Sequence, residues 1–330
     1  MVSNAYIDNV IKDITFFLKP PFPSNPSYAE LKNHLAQFCI LPNRCRASKQ
    51  HYSDLIQVHS MMLYGPRGCG KKTAVHAIAT ELNALIFHLS ANNLNGKYMG
   101  KYGPTRLIHM IFTVASMHEY CPVVIFLEDC EKFMLNSKNK KKAPKGGPVR
   151  FMKDLQTYKN KCLSFKDRVV IIGTSSEPDK IDVKQCKKFF DKILCFPYPN
   201  YFDRYLFWKA FLQSRLVTGN IAKKIEEVVD LSSLCKLSEG CTAADIKLSV
   251  EKLRKPTLVS ACNEVNETSM ECFLVKALGE INDCDENILK IAEFTNKILS
   301  VDTSHDPNCS PSSTDACNGL GWRLSILRRK

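Results

Sequence analysis

With 330 residues and 45% hydrophobic content, the chain has room for a large α/β unit with an appendage, or for two or three domains. Its 46 Lys and Arg outnumber 33 Asp and Glu, and the formal charge of +13 favours anionic partners such as nucleotides, nucleic acid or acidic protein surfaces. The 15 cysteines are odd in number and include no C-x-x-C pair, which argues against a disulfide framework or zinc site. No apolar run approaches the roughly 18 residues of a membrane span, and the opening residues lack a charged-then-apolar leader. A reducing intracellular compartment, without a membrane partner, is the expectation.

In chain order, residues 1–27 carry Lys19-Pro20-Pro21-Phe22-Pro23 and Asn25-Pro26 and read as an extended segment. A helical period follows from Tyr28 through Leu31, Leu35 and Phe38, with Pro42 expected to end it. From Ser60 on, short apolar runs alternate with helical stretches. The predicted strands are 61–64, 85–89, 123–127, 169–173 and 193–196, and the helices between them are 71–82, 105–118, 148–162 and 179–190. That alternation predicts an α/β fold, a five-stranded parallel sheet flanked by helices. Beyond Pro197 and Pro199 the strand signal stops, and residues 199–300 read as a smaller helical subdomain with turns near Gly219, Gly240, Pro256 and 283–285. The basic run at 138–145 reads as a solvated loop. Residues 301–330 are rich in Ser, Asp, Asn, Pro and Gly and read as a disordered tail with a basic end.

Two motifs carry chemistry. Gly65-Pro66-Arg67-Gly68-Cys69-Gly70-Lys71-Lys72 fits the phosphate-binding pattern G-x-x-x-x-G-K-[ST] at every fixed position except the last. It lies between a predicted strand and a predicted helix, so phosphates would meet the free N–H groups of a helix N-terminus. The last position normally offers Mg²⁺ a hydroxyl, which an ammonium at Lys72 cannot do. The second motif is Val123–Leu127 followed by Glu128-Asp129. Glu128 stands where a metal-holding carboxylate is expected, and Asp129 where a second carboxylate polarises water.

These residues resemble the AAA+ ATPases over roughly residues 28–299. Gly65–Lys71 is similar to that family's G-P-P-G-T-G-K loop, and Glu128-Asp129 reverses its Asp-Glu order. Gly96-Lys97-Tyr98-Met99-Gly100 resembles the pore loop of hexameric members, with Tyr98 as the aromatic. Gly173-Thr174-Ser175-Ser176-Glu177-Pro178 resembles the G-A-T-N-R-P segment, with Ser176 at the sensor asparagine. Gly240-Cys241-Thr242-Ala243-Ala244-Asp245-Ile246 resembles a stretch of the helical lid. The family's arginine-finger triplet R-F-D falls on Phe189-Phe190-Asp191, beside Lys187 and Lys188. Within the superfamily, Leu35 to Pro42, Gly70-Lys71-Lys72, Glu128-Asp129-Cys130-Glu131-Lys132 and the Pro199 to Lys209 stretch resemble the IQ-and-AAA-domain proteins. That group includes a subunit of the nexin–dynein regulatory complex of cilia and flagella.

The resemblance implies ATP or ADP as ligand, held by Gly65, Pro66, Arg67, Gly68, Cys69, Gly70, Lys71, Lys72 and Thr73. It implies Mg²⁺ at Glu128, against which Lys72 argues. Glu128, Asp129 and Ser176 take the catalytic positions, and Lys72, the swapped carboxylates, Ser176 and the missing arginine together predict weak or absent hydrolysis. The expected role is a structural or regulatory part of an axonemal assembly in the cytoskeleton of a cilium or flagellum, with protein partners and homo-oligomers. The alternative is an active ATPase that remodels a partner through a hexameric pore, resting on Tyr98. Nucleic-acid binding rests on charge alone, and calmodulin is not carried over because no I-Q-x-x-x-R-G-x-x-x-R pattern occurs.

Overall fold

The computed structural model describes residues 26–44, 58–136, 139, 146–163, 167–217, 230–252 and 284–302. Most of the extended 1–27 segment, the 138–145 run apart from residue 139, the turns near Gly219 and Pro256, and the tail from 303 lie outside the described residues.

Five parallel strands form one sheet in the order β2-β3-β4-β1-β5. They are β1 (Ser60–Tyr64), β2 (Leu85–Ser90), β3 (Val123–Glu128), β4 (Val169–Ser175) and β5 (Lys192–Cys195). The helices, in chain order, are α1 (Tyr28–Leu35), α2 (Leu41–Arg44), α3 (Lys71–Leu82), α4 (Ala91–Leu94), α5 (Gly103–Ser116) and α6 (Cys130–Phe133). After these come α7 (Phe151–Cys162), α8 (Val183–Phe189), α9 (Tyr201–Val217), α10 (Leu231–Leu237), α11 (Ala243–Lys252) and α12 (Cys284–Asp302). β1 and β4 are buried at every position, because helices cover both faces of the sheet, and they accordingly read as unbroken apolar runs.

One face packs Ile108 and Phe112 of α5, Leu155 of α7 and Phe189 of α8 against Val123, Ile125 and Ile171. The other packs Leu31, Phe38, Val75 and Ile78 against Val124, Phe126 and Ile172. The alternating side chains of β3 and β4 thus serve two separate cores. The lid has its own, built from Trp208, Leu212, Leu231, Leu234, Ile246 and Val250. Buried Arg204 ties this core to the sheet exit, donating to the carbonyls of Pro199 at 2.9 Å and Cys235 at 3.0 Å.

Three elements differ from the sequence expectation. The first helix does not stop at Pro42. A π turn at Ala36–Ile40 leads without a break into α2, and Pro42 lies just after this wider turn. The 179–190 helix is instead a short turn, Pro178–Lys180, followed by α8. Extended Asp182 interrupts it and restarts the helix as N-cap, accepting from the Lys184 N–H at 3.1 Å. Finally, α12 lies against the sheet part of the molecule. Phe294 meets the Tyr64 ring edge-on at 5.1 Å, and the Tyr64 hydroxyl lies 2.8 Å from Thr295 Oγ1. Since Thr295 donates to the Ile291 carbonyl, Tyr64 is the donor in that pair. The 199–300 segment therefore has its last helix on the sheet, beside the end of β1.

Candidate functional site

β1, β4 and β3 lie side by side, so the segments leaving their C-terminal ends are neighbours, the place where ligands bind in open α/β sheets. The register pairs Tyr64 with Ser175 and Leu127 with Gly173. The Gly65–Lys72 loop, the Glu128-Asp129 pair and Ser176 therefore meet at one edge, although they span 112 sequence positions from 65 to 176.

The loop enters α3 through Gly70, whose φ of 87° opens the first turn. Gly68 has φ +85°, and a Cβ there would lie 2.4 Å from Thr242 Oγ1. Only glycine fits, because the lid presses directly on the loop. The contact is also a hydrogen bond, since Ala244 N–H donates to the Gly68 carbonyl at 3.1 Å. The lid segment is itself rigidly capped. Asp245 accepts from the Thr242 N–H at 2.9 Å and from its hydroxyl at 2.7 Å. From the opposite side, the Tyr28 hydroxyl donates to the Cys69 carbonyl at 3.0 Å, while its ring packs edge-on against Phe207 of α9 at 5.1 Å.

Lys71 is 5% exposed and lies along the loop, its ammonium donating to the carbonyls of Gly65 at 2.8 Å and Pro66 at 2.6 Å. Burial pushes its pKa down to about 8. Arg67, at the outer rim, pairs with Glu177 at 2.8 Å, and Glu177 also holds Lys180. Both flank a cleft that includes Ser176 and, from α12, Asn287 and Ile291.

Glu128 is engaged at both of its oxygens. Its Oε1 is paired with the Lys72 ammonium and its Oε2 lies 2.7 Å from His88 Nε2, while the His88 ring stacks on Phe126 at 4.8 Å. Burial works against the charge on Glu128, but the Lys72 and His88 hydrogen bonds outweigh it and hold the carboxyl below its usual range. Asp129 has φ 55° and is turned to Lys132, 2.9 Å away. Among the described residues no group of three or more His, Cys, Asp or Glu is placed to hold a metal ion. With an ammonium at the hydroxyl position and both Glu128 oxygens engaged, the donor set does not fit Mg²⁺, which requires oxygen ligands in near-octahedral array.

The finger triplet has a different function. Phe189 is 0% exposed, and Phe190 is buried beside Gly173. Asp191 pins the start of β1, accepting from the N–H groups of His59 and Ser60 at 2.9 Å each and from buried Lys159 at 2.6 Å. Tyr98 lies apart from this edge, on a loop 44% exposed at that residue, whose shape is fixed by Arg150 donating to the Tyr98 carbonyl at 3.0 Å.

Two members of the cluster are not singled out as site residues by the sequence. His88 carries no motif of its own and reaches Glu128 only through the Ser90–Glu128 register of β2 and β3. Glu131 is 5% exposed, its pKa raised by burial and partly offset by the Ser175 hydroxyl, and it acts electrostatically on Lys71. Its position in the Glu128–Lys132 stretch was the available signal.

A parallel sheet with a glycine loop at its switch point, feeding a helix and covered by a helical lid, defines a phosphate-binding-loop ATPase module. Residues 61–198 match the family model "ATPase family associated with various cellular activities (AAA)", and the chain carries an AAA domain. It is 33% identical over 224 residues to dynein regulatory complex protein 11 of Mus musculus, covering 67% of this chain and 25% of that protein. It is 27% identical to spastin of Xenopus tropicalis, covering 75% of this chain and 37% of that one. This chain thus spans well under half the length of either relative. The solved FIGL-1 AAA domain in complex with ADP shares the fold at a TM-score of 0.57 and 18% identity, covering 82% of this chain and 87% of that one.

Proposed function

We propose that this AAA module holds ATP or ADP between sheet and lid and serves as a structural or regulatory part of an axonemal, dynein-regulatory type of assembly, with weak or absent hydrolysis. One observation carries the reading. The residue at the finger position, Phe189, is fully buried in the core, while the cradle of Gly68, Gly70 and Lys71 is intact and touched by the lid. An arginine finger is worth about 10³–10⁵ in phosphoryl-transfer rate, and a buried phenylalanine supplies no charge to a neighbouring subunit. Ser176 and the turned-away Asp129 weaken water activation further. The axonemal setting and cytoskeletal location rest on the likeness to dynein regulatory complex protein 11. Among the described residues no helix is long and apolar enough to cross a membrane.

The test is to purify the chain under native conditions and analyse co-bound nucleotide, with Lys71→Ala as control. Retained ADP or ATP that disappears in the variant supports the reading; a nucleotide-free protein without a thermal-shift response to millimolar ATP overturns it. A second reading, a threading ATPase, is favoured by the exposed Tyr98 loop and the likeness to spastin. ATP-dependent hexamers whose phosphate release requires both Glu128 and Asp129 would establish it instead.

A further inference from the structure

We infer that Lys72 is a built-in replacement for the divalent cation, so that the site takes the nucleotide free of metal. The inference rests on the proposed nucleotide site and concerns the form of ligand that enters it.

Lys72, the second residue of α3, reaches the end of β3, where its ammonium is paired with Glu128 Oε1. This is the carboxylate to which the resemblance assigns Mg²⁺. His88 occupies the other oxygen at 2.7 Å. A metal would therefore have to displace two donors and would find an ammonium, not a hydroxyl, at position 72. It would also face an ammonium a few ångströms away, and like charges at that distance in a partly buried site repel strongly. Lys72 is not a sealed core ion, since its side chain is 60% exposed whereas that of Glu128 is 16% exposed. The partly buried carboxylate anchors the lysine at one side, while the ammonium, with three donors, keeps others for a phosphate oxygen. Lys71 and Lys72, adjacent at the start of α3, together supply the positive charge at the loop. A cation fixed to the chain places one positive charge beside the phosphates without the dehydration that Mg²⁺ resists.

The experiment compares ADP binding by titration calorimetry to the full, nucleotide-stripped chain in excess EDTA and in millimolar MgCl₂. Affinity in EDTA is expected to equal or exceed that in magnesium, within about twofold. Mn²⁺ added to the ADP complex should show no protein-bound paramagnetic signal. Lys72→Thr, which returns the hydroxyl and frees Glu128, should invert the preference and bind ADP about tenfold or more tightly with magnesium. Wild-type binding about tenfold tighter in magnesium, or a bound Mn²⁺ signal sensitive to Glu128→Gln, would overturn the inference while leaving the nucleotide site standing. Absence of ADP binding in both buffers would overturn the site itself and this inference with it. If Lys72→Thr does not fold, the wild-type comparison and the Mn²⁺ signal still decide.

Discussion

Lys71 is positioned so that its proton is sensitive to what lies in front of it. Burial lowers its pKa to about 8, so the folded chain binds this proton less tightly than the unfolded chain does. Below pH 8 the lysine is charged in both states and its burial opposes folding; as pH rises from 8 towards the ordinary lysine value, that opposition is relieved. Nucleotide binding has the reverse sign. A phosphate restores the charge, so above pH 8 binding takes up a proton, and affinity should fall by up to about tenfold per pH unit. Calorimetry in buffers of different ionisation enthalpy would reveal that proton, and pH-independent binding between pH 7 and 9 would refute its assignment to Lys71. Asp191 calls for a different measurement. It accepts two backbone N–H groups and pairs with Lys159, which is 9% exposed. Asp191 itself is an exposed residue, so the loss is set by the buried Lys159 donor left short of a partner, about 1–3 kcal/mol. Asp191→Ala should lose stability of that order in urea unfolding, by a structural route with no finger chemistry involved.

At the scale of elements, the sheet was legible to within two residues per strand end, because a parallel sheet covered on both faces imposes continuous apolar runs. The α3 boundaries, Lys71–Leu82, agree with the predicted 71–82 helix because glycine and asparagine in left-handed conformations close both ends. Pro42 misled because the wider π turn at Ala36–Ile40 lets the helix run on past it, and that turn has no sequence signature. The motifs located the loop and Glu128, but His88 and α12 reach the site through strand register and tertiary docking, which no local pattern encodes. The tie between α1 and the loop is also tertiary. Tyr28→Phe deletes only the hydroxyl that holds the Cys69 carbonyl, and a hydrogen bond of this kind contributes about 0.5–1.5 kcal/mol. Thermal or denaturant unfolding should register that loss, and a variant as stable as wild type would show the tie to be incidental.

For the whole molecule, the lid, the loop and the sheet edge form one contact system, so a ligand that bridges them stabilises the folded state by mass action. At a hundredfold excess over its dissociation constant, a nucleotide contributes about 2.7 kcal/mol. In a domain of this size that corresponds to roughly 5–10 °C in Tm. Differential scanning should show the shift with ADP and lose it in Lys71→Ala. The sign pattern fits such a role. A chain of net charge +13 places Lys71, Lys72 and Arg67 at one sheet edge, and two of the three already have carboxylate partners in Glu128 and Glu177.

The 3.1 Å bond from the Ala244 N–H to the Gly68 carbonyl means that the lid and the phosphate loop are mechanically in series. A tug applied to the lid is felt first at a peptide unit whose glycine permits rotation at low cost, and only then by the helix behind it. A displacement of the lid therefore changes the cradle before it changes α3.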